Sequence, residues 1–286
     1  MASMKDLPGS VAIVTGASRG VGVPIAEALA RRGVRLVLVA RAAEELGRVA
    51  GSLEATGAKV LAIPADVTDP AARAHVVAET LRVFGAIDLL INNAGIVQPA
   101  AYERLSLDEI DQQIAVNLTA PMALTRLVLP HMLARDRGHV VNVASLGGLL
   151  GVGWGEPYGA TKHGLVGFTR ALRMSSKISG SRVSASVVCP GFIAGVGMYV
   201  DSVREHGRPA PMALGTSSPA AVVAAVVRAI ERDVPEIIVS ARPIRLLLLL
   251  SAISPRFGEW LCRTLGAHLL FEAAAQASGR DRAKPR

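Results

Sequence analysis

Cysteine is scarce in this chain, with only two among 286 residues. Cys189 and Cys262 are too few for a disulfide framework, and their spacing is not that of metal ligands. The six histidines form no His-Glu-x-x-His pattern, so the sequence predicts no metal site. The first residues also lack the apolar segment of a secretory signal, and we therefore expect a cytoplasmic protein in a reducing compartment.

Aromatic residues are equally sparse, at 3% of the chain, although the formal net charge is +8. Binding of nucleic acid requires clustered cations, usually together with stacking aromatics or a known module. Most basic residues here are dispersed along the sequence. We therefore interpret the positive charge as a solvated surface and predict no nucleic-acid partner.

No linker rich in proline, glycine and serine divides the chain, so one α/β domain is expected. Short apolar runs alternate with stretches of helical pattern. Continuous apolar runs of this length are typical of parallel strands that are covered on both faces. We predict seven such strands, at residues 11–14, 35–39, 60–63, 87–91, 139–143, 183–188 and 236–239.

A glycine-rich turn follows the first predicted strand and precedes a helical pattern. It reads Thr15-Gly16-Ala-Ser-Arg-Gly20-Val-Gly22. Glycine allows the backbone to turn tightly and lets a pyrophosphate approach main-chain N–H groups, while the N-terminus of the next helix attracts the anion. The pattern favours a dinucleotide-binding turn.

Tyr158 and Lys162 form a pair that can carry acid/base chemistry. In a helix, a spacing of four residues puts both on one face. We expect the Lys162 ammonium to lower the pKa of Tyr158 from its usual value of about 10. Ser145, thirteen residues upstream of the tyrosine, supplies a hydroxyl for a substrate carbonyl. A Tyr-x3-Lys pair alone is weak support for a site, because it occurs on many surface helices.

Four motifs in order, the glycine turn, Asn92-Asn93-Ala94-Gly95, Ser145 and Tyr158-x3-Lys162, resemble the short-chain dehydrogenase/reductase family. The resemblance covers about residues 8–240. It implies a doubly wound (Rossmann) α/β fold with a seven-stranded parallel sheet flanked by helices. It also implies an enzyme that interconverts an alcohol and a ketone or aldehyde, assembled as a homodimer or homotetramer.

The resemblance also implies catalytic roles. Tyr158 is the expected general acid/base, Lys162 its activator and a ribose ligand, and Ser145 the hydrogen-bond partner of the substrate oxygen. Asn117 is expected to hold a water in the proton path, or alternatively to be a buried polar residue that satisfies a helix irregularity. A rival hypothesis, a catalytically idle nucleotide sensor or scaffold on the same fold, is disfavoured by the intact Ser145, Tyr158 and Lys162.

Cofactor contacts are expected from several loops at the ends of the predicted strands. Asp66 would accept a hydrogen bond from the exocyclic amine of adenine, or else stabilise its own loop. The turn at Asn92–Gly95 would stabilise the sheet or contact the cofactor. Gly195 stands where the family usually has a threonine near the nicotinamide carboxamide. The expected cofactor-binding residues are Gly16, Ser18, Arg19, Gly20, Val21, Gly22, Arg41, Asp66, Val67, Asn93, Ala94, Gly95, Tyr158, Lys162, Pro190, Gly191 and Ile193.

The end of the second predicted strand indicates which cofactor is preferred. An acidic residue at the position of Ala40 would mark an NAD user in the resembled family, whereas basic residues at Arg41 and Arg19 mark NADP users. A guanidinium binds a phosphate through charge-assisted bidentate hydrogen bonds. We therefore expect NADP(H) rather than NAD(H), the alternative being that both arginines are merely solvated.

Two segments that would cover the site are rich in apolar side chains. We expect a small hydrophobic substrate, a lipid-like or polycyclic alcohol or ketone, unless these loops pack only on their own core. The residues concerned are Leu146, Leu149, Leu150, Val152, Trp154, Phe192, Met198, Tyr199, Val200, Met212 and Leu214.

The segment after the last predicted strand is unusual for its leucines and the arginines at 242, 245, 256 and 263. Its apolar run falls far short of the roughly 20 residues needed to cross a bilayer. We predict a catalytic domain over residues 1–240, an amphipathic helical extension over 241–277 and a disordered tail over 278–286. The extension could make peripheral contact with an anionic membrane, cap the substrate pocket, or pack against another subunit.

Overall fold

A single parallel sheet forms the centre of the molecule. The computed structural model describes residues 4, 7–266 and 268–282. Its seven strands are β1 (Val11–Thr15), β2 (Arg35–Ala40), β3 (Val60–Pro64), β4 (Leu89–Asn92), β5 (Gly138–Val143), β6 (Val183–Pro190) and β7 (Glu236–Val239).

The strands are arranged in the order β3-β2-β1-β4-β5-β6-β7, and all neighbouring pairs are parallel. The predicted doubly wound, seven-stranded sheet is therefore confirmed, and each predicted run agrees with its strand to within two residues at either end. The strand order reverses between β1 and β4. Loops that leave these two strands diverge at their carboxyl ends and open a crevice there, which is where such sheets bind ligands.

The helices cover both faces of the sheet, with a further group at the C-terminus. They are α1 (Gly22–Ala30), α2 (Ala43–Glu54), α3 (Pro70–Phe84), α4 (Leu107–Ile114), α5 (Ala120–Ala134), α6 (Glu156–Ile178), α7 (Met198–His206), α8 (Pro219–Arg232), α9 (Arg245–Ile253), α10 (Pro255–Leu265) and α11 (Leu269–Arg282).

Side chains of each strand alternate between two cores. Along β1, Ala12 and Val14 face a core shared with α1, α2 and α8, while Val11 and Ile13 face the core formed with α3 and α5. Every residue of β1, β5 and β6 is buried. Each large apolar side chain so buried contributes about 1.5–3 kcal/mol, which makes the sheet a rigid support for the loops at its edge.

Two adjacent residues specify the start of α3. Asp69 precedes α3, and its Oδ1 accepts a hydrogen bond from the Ala71 N–H at 2.9 Å, while Pro70 occupies the first helical position. A proline there needs no N–H partner, since the first helical N–H groups have none within the helix. This helix start is therefore specified by neighbouring residues alone.

The described part of the extension after β7 contains three helices, α9, α10 and α11. The backbone remains helical to Arg282, so the boundary predicted at residue 278 falls inside α11. Residues 283–286 of the predicted disordered tail lie outside the described residues. Within the described ranges, no helix is both long enough and apolar enough to span a bilayer.

Candidate active site

A cavity of about 300 Å³ lies at the carboxyl edge of the sheet, beside the ends of β1, β4, β5 and β6. It brings together residues that are far apart in the sequence. Of the predicted site residues, its lining contains Gly16, Arg19, Gly20, Val21, Asn93, Ala94, Gly95, Ser145, Tyr158, Lys162, Pro190, Gly191 and Ile193. The remaining ones, Ser18, Gly22, Arg41, Asp66, Val67 and Asn117, lie outside this lining.

The glycine turn is compact because its backbone leaves no room for side chains. Gly16 has a φ of +65°, and a Cβ built on it would lie 2.9 Å from the Cα of Ala94. At Gly22, a Cβ would collide with the carbonyl oxygen of Gly16. Glycine is thus required at both positions by the packing of the turn on itself.

The N-terminus of α1 faces this cavity without a side-chain cap. The residue before it is Val21, whose apolar side chain makes no capping hydrogen bond, and Gly22–Ile25 carry no charge. The first N–H groups of a helix have no intrahelical acceptor, and the helix dipole adds positive potential. The turn and this helix end therefore fit the pyrophosphate of a nicotinamide dinucleotide.

Hydrogen bonds from the loop after β4 hold the glycine turn in place. The Oγ1 of Thr15 accepts from the N–H groups of Asn93 at 3.0 Å and Ala94 at 3.1 Å, and it donates to the Ile91 carbonyl at 3.3 Å. The amide of Asn93 donates to the carbonyls of Thr15 and Gly16, at 3.0 and 3.2 Å. Asn93 thus has a structural role while also lining the cavity. The part played by Thr15 was missed, although the residue opens the motif.

Tyr158, Lys162 and Ser145 meet at the base of the cavity. Tyr158 lies in the first turn of α6, and the Nζ of Lys162, one turn later, is 5.7 Å from the tyrosine ring centroid. The same Nζ donates a hydrogen bond to the Val143 carbonyl at 3.1 Å. Ser145 follows β5, where its Oγ accepts from the Gly147 N–H at 3.1 Å. The structure thus brings Ser145, Tyr158 and Lys162 together in one cavity, as the sequence analysis predicted.

The predicted direction of the pKa shift of Tyr158 was wrong. Burial raises the pKa of Tyr158, and a hydrogen bond with Ser145 opposes this only in part. Burial also lowers the pKa of Lys162, to about 8. Loss of water disfavours the charged form of both groups, and this effect outweighs the attraction expected from the ammonium. At neutral pH the phenol is protonated, and most of the lysine is still charged.

Asn117 occupies a π-helical segment, Ala115–Thr119, between α4 and α5. Its Oδ1 accepts from the Ile96 N–H at 2.8 Å, and its Nδ2 donates to the Ile96 carbonyl at 2.8 Å and to the Thr161 hydroxyl at 3.3 Å. These contacts support the structural alternative, a buried amide at a helix irregularity. The asparagine holds the loop after β4 next to α6.

Arg19 and Arg41 are exposed on the approach to the cavity. Arg19 contacts Asp201 at 3.4 Å, and Arg41 lies 4.0 Å from Asp66. The Oδ1 of Asp66 accepts from both the N–H and the hydroxyl of Thr68, each at 2.8 Å. Asp66 therefore stabilises its own loop, as one sequence interpretation held, while its Oδ2 faces Arg41. Exposed single ion pairs of this kind are weak and leave both arginines available to an anion.

Gly195 is explained by its backbone. Its φ is +80°, a conformation that a β-branched residue such as threonine adopts only with strain. The preceding residues pair with a later segment, since Ala194 donates to the Ser217 carbonyl at 2.9 Å and Ser217 donates to the Phe192 carbonyl at 2.8 Å. The chain after Pro190 thus follows a path that excludes the threonine of the family pattern.

Apolar side chains form most of the remaining cavity wall. Seven of those predicted from sequence are among them: Leu146, Leu150, Val152, Phe192, Met198, Tyr199 and Leu214. Leu149, Trp154, Val200 and Met212 are not part of the lining.

The C-terminal extension supplies a further part of the cavity wall, with residues that the sequence analysis had not named individually. The ring of Phe271 lies with its centroid 6.3 Å from that of Tyr158, and Trp154 stacks on His268 at 5.9 Å. On its inner side the extension forms a cap over the pocket, which is one of the three alternatives that the sequence analysis considered. The extension residues in the lining are Ile244, Leu247, Leu248, Leu261, Cys262, Leu265, Leu270 and Phe271.

Comparison with known proteins agrees with this geometry. The short chain dehydrogenase family matches residues 10–206. The chain belongs to this family. It is similar to the ketoacyl reductase HetN of a Nostoc species, with 40% identity over 268 residues that cover 92% of this chain and 91% of that protein.

Two solved structures of the same family superpose on the chain. A short chain dehydrogenase/reductase from Burkholderia phymatum in complex with NAD has a TM-score of 0.79 and 26% identity, covering 88% of this chain and 95% of its own. An actinorhodin polyketide ketoreductase with NADPH has a TM-score of 0.75 and 31% identity, covering 80% and 95%. The chain is thus an oxidoreductase of keto or hydroxyl groups that uses a nicotinamide cofactor.

Replacing Gly22 with alanine tests the glycine turn. The new Cβ would push against Gly16, so we expect the free energy of unfolding to fall by about 1–3 kcal/mol. Dinucleotide affinity should also fall by at least about tenfold, since the main-chain N–H groups move. Urea unfolding and calorimetric titration measure the two effects.

Gly47→Ala is the matched control. Gly47 lies within α2, and a Cβ there meets no atom within 4 Å. This variant should bind the dinucleotide normally and gain up to about 1 kcal/mol of stability. Equal behaviour of the two variants would contradict the role given to Gly22.

Proposed function

We propose that this short chain dehydrogenase is an NADP(H)-dependent enzyme that interconverts a ketone or aldehyde and an alcohol on a hydrophobic, lipid-like or polycyclic substrate. One observation carries the proposal: Ser145, Tyr158 and Lys162 converge at the base of a cavity whose other walls are largely apolar. In a pocket that is mostly apolar, a small number of polar groups fixes the orientation of a ligand at one point, and the rest of the ligand makes hydrophobic contacts. A bound nicotinamide supplies or accepts the hydride.

Ser145 and Tyr158 act on the substrate oxygen. When a carbonyl is reduced, negative charge develops on its oxygen, and hydroxyl groups from both side chains can donate hydrogen bonds to it. Tyr158 is the proton donor, because burial raises the pKa of its phenol and so keeps it protonated at neutral pH. In the oxidative direction the same tyrosine takes the proton back.

Lys162 stabilises the phenolate that remains after proton transfer. An ammonium has three N–H donors, and the hydrogen bond to Val143 uses one of them. The remaining donors are available to a ribose hydroxyl of the cofactor. Asn117, whose amide is engaged with Ile96 and Thr161, acts by positioning the loop after β4 and takes no proton itself.

The variant Tyr158→Phe tests the assignment of the proton donor. Removal of the hydroxyl should lower kcat by about 10²–10⁴-fold while dinucleotide affinity is kept, since general acid catalysis contributes that much. Turnover of bicyclic and long-chain ketones with NADPH is measured by the loss of cofactor absorbance.

Tyr102→Phe provides the matched control, because Tyr102 is an exposed residue of a short 3-10 turn and is absent from the cavity lining. Its kcat should equal that of the wild type. If Tyr158→Phe keeps wild-type turnover, the proposed mechanism is wrong. If the wild-type protein converts none of a broad set of ketones and alcohols, the alternative of a catalytically idle scaffold is favoured.

Preference for NADP(H) is supported by charge at the end of β2. The strand ends at Ala40, which offers no carboxylate to the adenosine ribose, and Arg41 follows with its guanidinium exposed. Arg19 reaches the same approach from the glycine turn and lines the cavity. Since the fold accepts both NAD and NADPH in other proteins, these local residues determine the choice.

Substitution of Arg41 by alanine tests this preference. We expect kcat/KM for NADPH to fall by about ten- to a hundredfold, the loss typical of a hydrogen bond between charged groups, with NADH little affected. Arg48→Ala is a suitable control, because Arg48 is also an exposed arginine with a carboxylate neighbour, Glu45, at 3.6 Å. Equal efficiency of the wild type with NADPH and NADH would refute the preference.

Phe271 offers a test of the hydrophobic substrate. Its ring lies beside Tyr158, so an apolar substrate held there contacts it directly. Phe271→Ala should lower kcat/KM for a bicyclic ketone by at least about tenfold, and that for a small hydrophilic ketone much less. Phe257→Ala is the control, since Phe257 packs on Trp260 at 5.6 Å and lies outside the cavity lining. Equal losses on both ketones would contradict the proposal.

A further inference from the structure

Large apolar side chains cluster on the outside of the C-terminal extension. Leu246, Leu249, Leu250 and Ile253 recur at helical spacing along α9 and are all exposed. Trp260 is exposed on α10, the helix that packs against α9. We refer to these five residues as the α9–α10 patch. They are five of the fifteen large apolar side chains that are exposed among the described residues, and they fall within fifteen consecutive positions. A cluster of this kind marks an interaction surface, whereas single exposed leucines are ordinary.

Positive charge surrounds the patch. Arg242 precedes α9 by three residues, and Arg245 is its first residue. Arg256 and Arg263 lie in the first and last turns of α10, and all four arginines are exposed. Glu259 is the single acidic residue between positions 242 and 263. Short helices that combine leucine and tryptophan with flanking arginines are typical of segments that lie in the interface of a bilayer. The tryptophan suits the headgroup level, and arginines reach the lipid phosphates.

We propose that the α9–α10 patch docks the protein on the surface of a membrane that contains anionic lipids. The distribution of charge favours lipid, rather than a second copy of the chain, as the partner of the patch. In a two-fold contact the patch would face itself, so the arginines of one copy would approach those of the other. An anionic lipid surface meets the same arginines with opposite charge, and it covers the leucines with acyl chains.

The inner side of α9 connects this surface to the active site. Ile244, Leu247 and Leu248 line the cavity, while Leu246 and Leu249 belong to the patch. A single helix therefore separates the membrane from the cavity, and the substrate class that reaches it is a ketone or alcohol dissolved in lipid. This last step rests on the proposed function, whereas the docking itself does not.

Flotation of the full chain with lipid vesicles tests the docking. The protein is mixed with vesicles of phosphatidylcholine alone, or of phosphatidylcholine with about one third phosphatidylglycerol. We expect it to float with the anionic vesicles and to remain in solution with the neutral ones. Salt at about 1 M, where the screening length falls to about 3 Å, should reduce the bound fraction. Since no substrate or cofactor is present, failure of the docking and failure of the proposed activity are seen separately.

A pair of isoleucines provides matched variants. Ile253 ends α9 and is 72% exposed, whereas Ile178 ends α6 and is 80% exposed. Ile178 precedes the start of β6, so it lies at the sheet edge opposite to the cavity. Ile253→Asn combined with Leu249→Asn should lower the vesicle-bound fraction by at least about fivefold. Ile178→Asn combined with Met174→Asn, which is also exposed on α6 four residues earlier, should leave it unchanged. Both variants should keep the wild-type thermal unfolding midpoint and NADPH binding, because these side chains are exposed and lie outside the cavity lining.

The charge is tested separately. Arg242→Gln with Arg256→Gln should reduce the difference between anionic and neutral vesicles. Three results would overturn the proposal: no flotation of the wild type with anionic vesicles, equal flotation of the Ile253 and Ile178 variants, or a concentration-dependent oligomer that dissociates on Ile253→Asn. The last result, read from light scattering without lipid, would assign the patch to a second copy of the chain.

Discussion

The hydroxyl of Thr15 joins β1 to β4, the two strands between which the strand order reverses. It accepts hydrogen bonds from two consecutive N–H groups, those of Asn93 and Ala94 in the loop after β4. It donates a hydrogen bond to the carbonyl of Ile91, near the end of β4. Together with the hydrogen bonds from the Asn93 amide to the carbonyls of Thr15 and Gly16, these bonds join the glycine turn to the loop after β4. The crevice at the strand reversal is thus held at a defined width, and the dinucleotide turn, Gly95 and Lys162 keep their relative positions through it.

Burial governs the chemistry at the base of this crevice more than charge pairing does. Tyr158 and Lys162 are both almost inaccessible to water, and each is thereby shifted toward its neutral form. For the tyrosine, this favours the protonated state that an acid needs before it acts. For the lysine, whose pKa stays near 8, enough positive charge remains at neutral pH to receive a phenolate. The site is therefore arranged for proton donation before any cofactor contributes its own charge.

Features that depend on short stretches of sequence were predictable, and features that depend on long-range packing were not. The strands and the i,i+4 pair of Tyr158 and Lys162 follow from spacing within a few residues, and both are found. The direction of the tyrosine pKa depends on the loss of water around it, which spacing does not report. Phe271 reaches the cavity from more than one hundred residues after Tyr158, so no local pattern could assign it to the site.

Helix α9 is unusual because apolar residues occupy both of its sides. A surface helix normally turns polar residues outward and stabilises itself through one apolar face. Here Leu247 and Leu248 face a cavity that a substrate fills only transiently, and the opposite leucines face outward. What fixes α9 within the chain is its packing on α10, where Gly258 allows close approach to Ser251. The helix therefore has few stabilising contacts within the chain, and it gains further contacts from a bound substrate on one side and from lipid on the other.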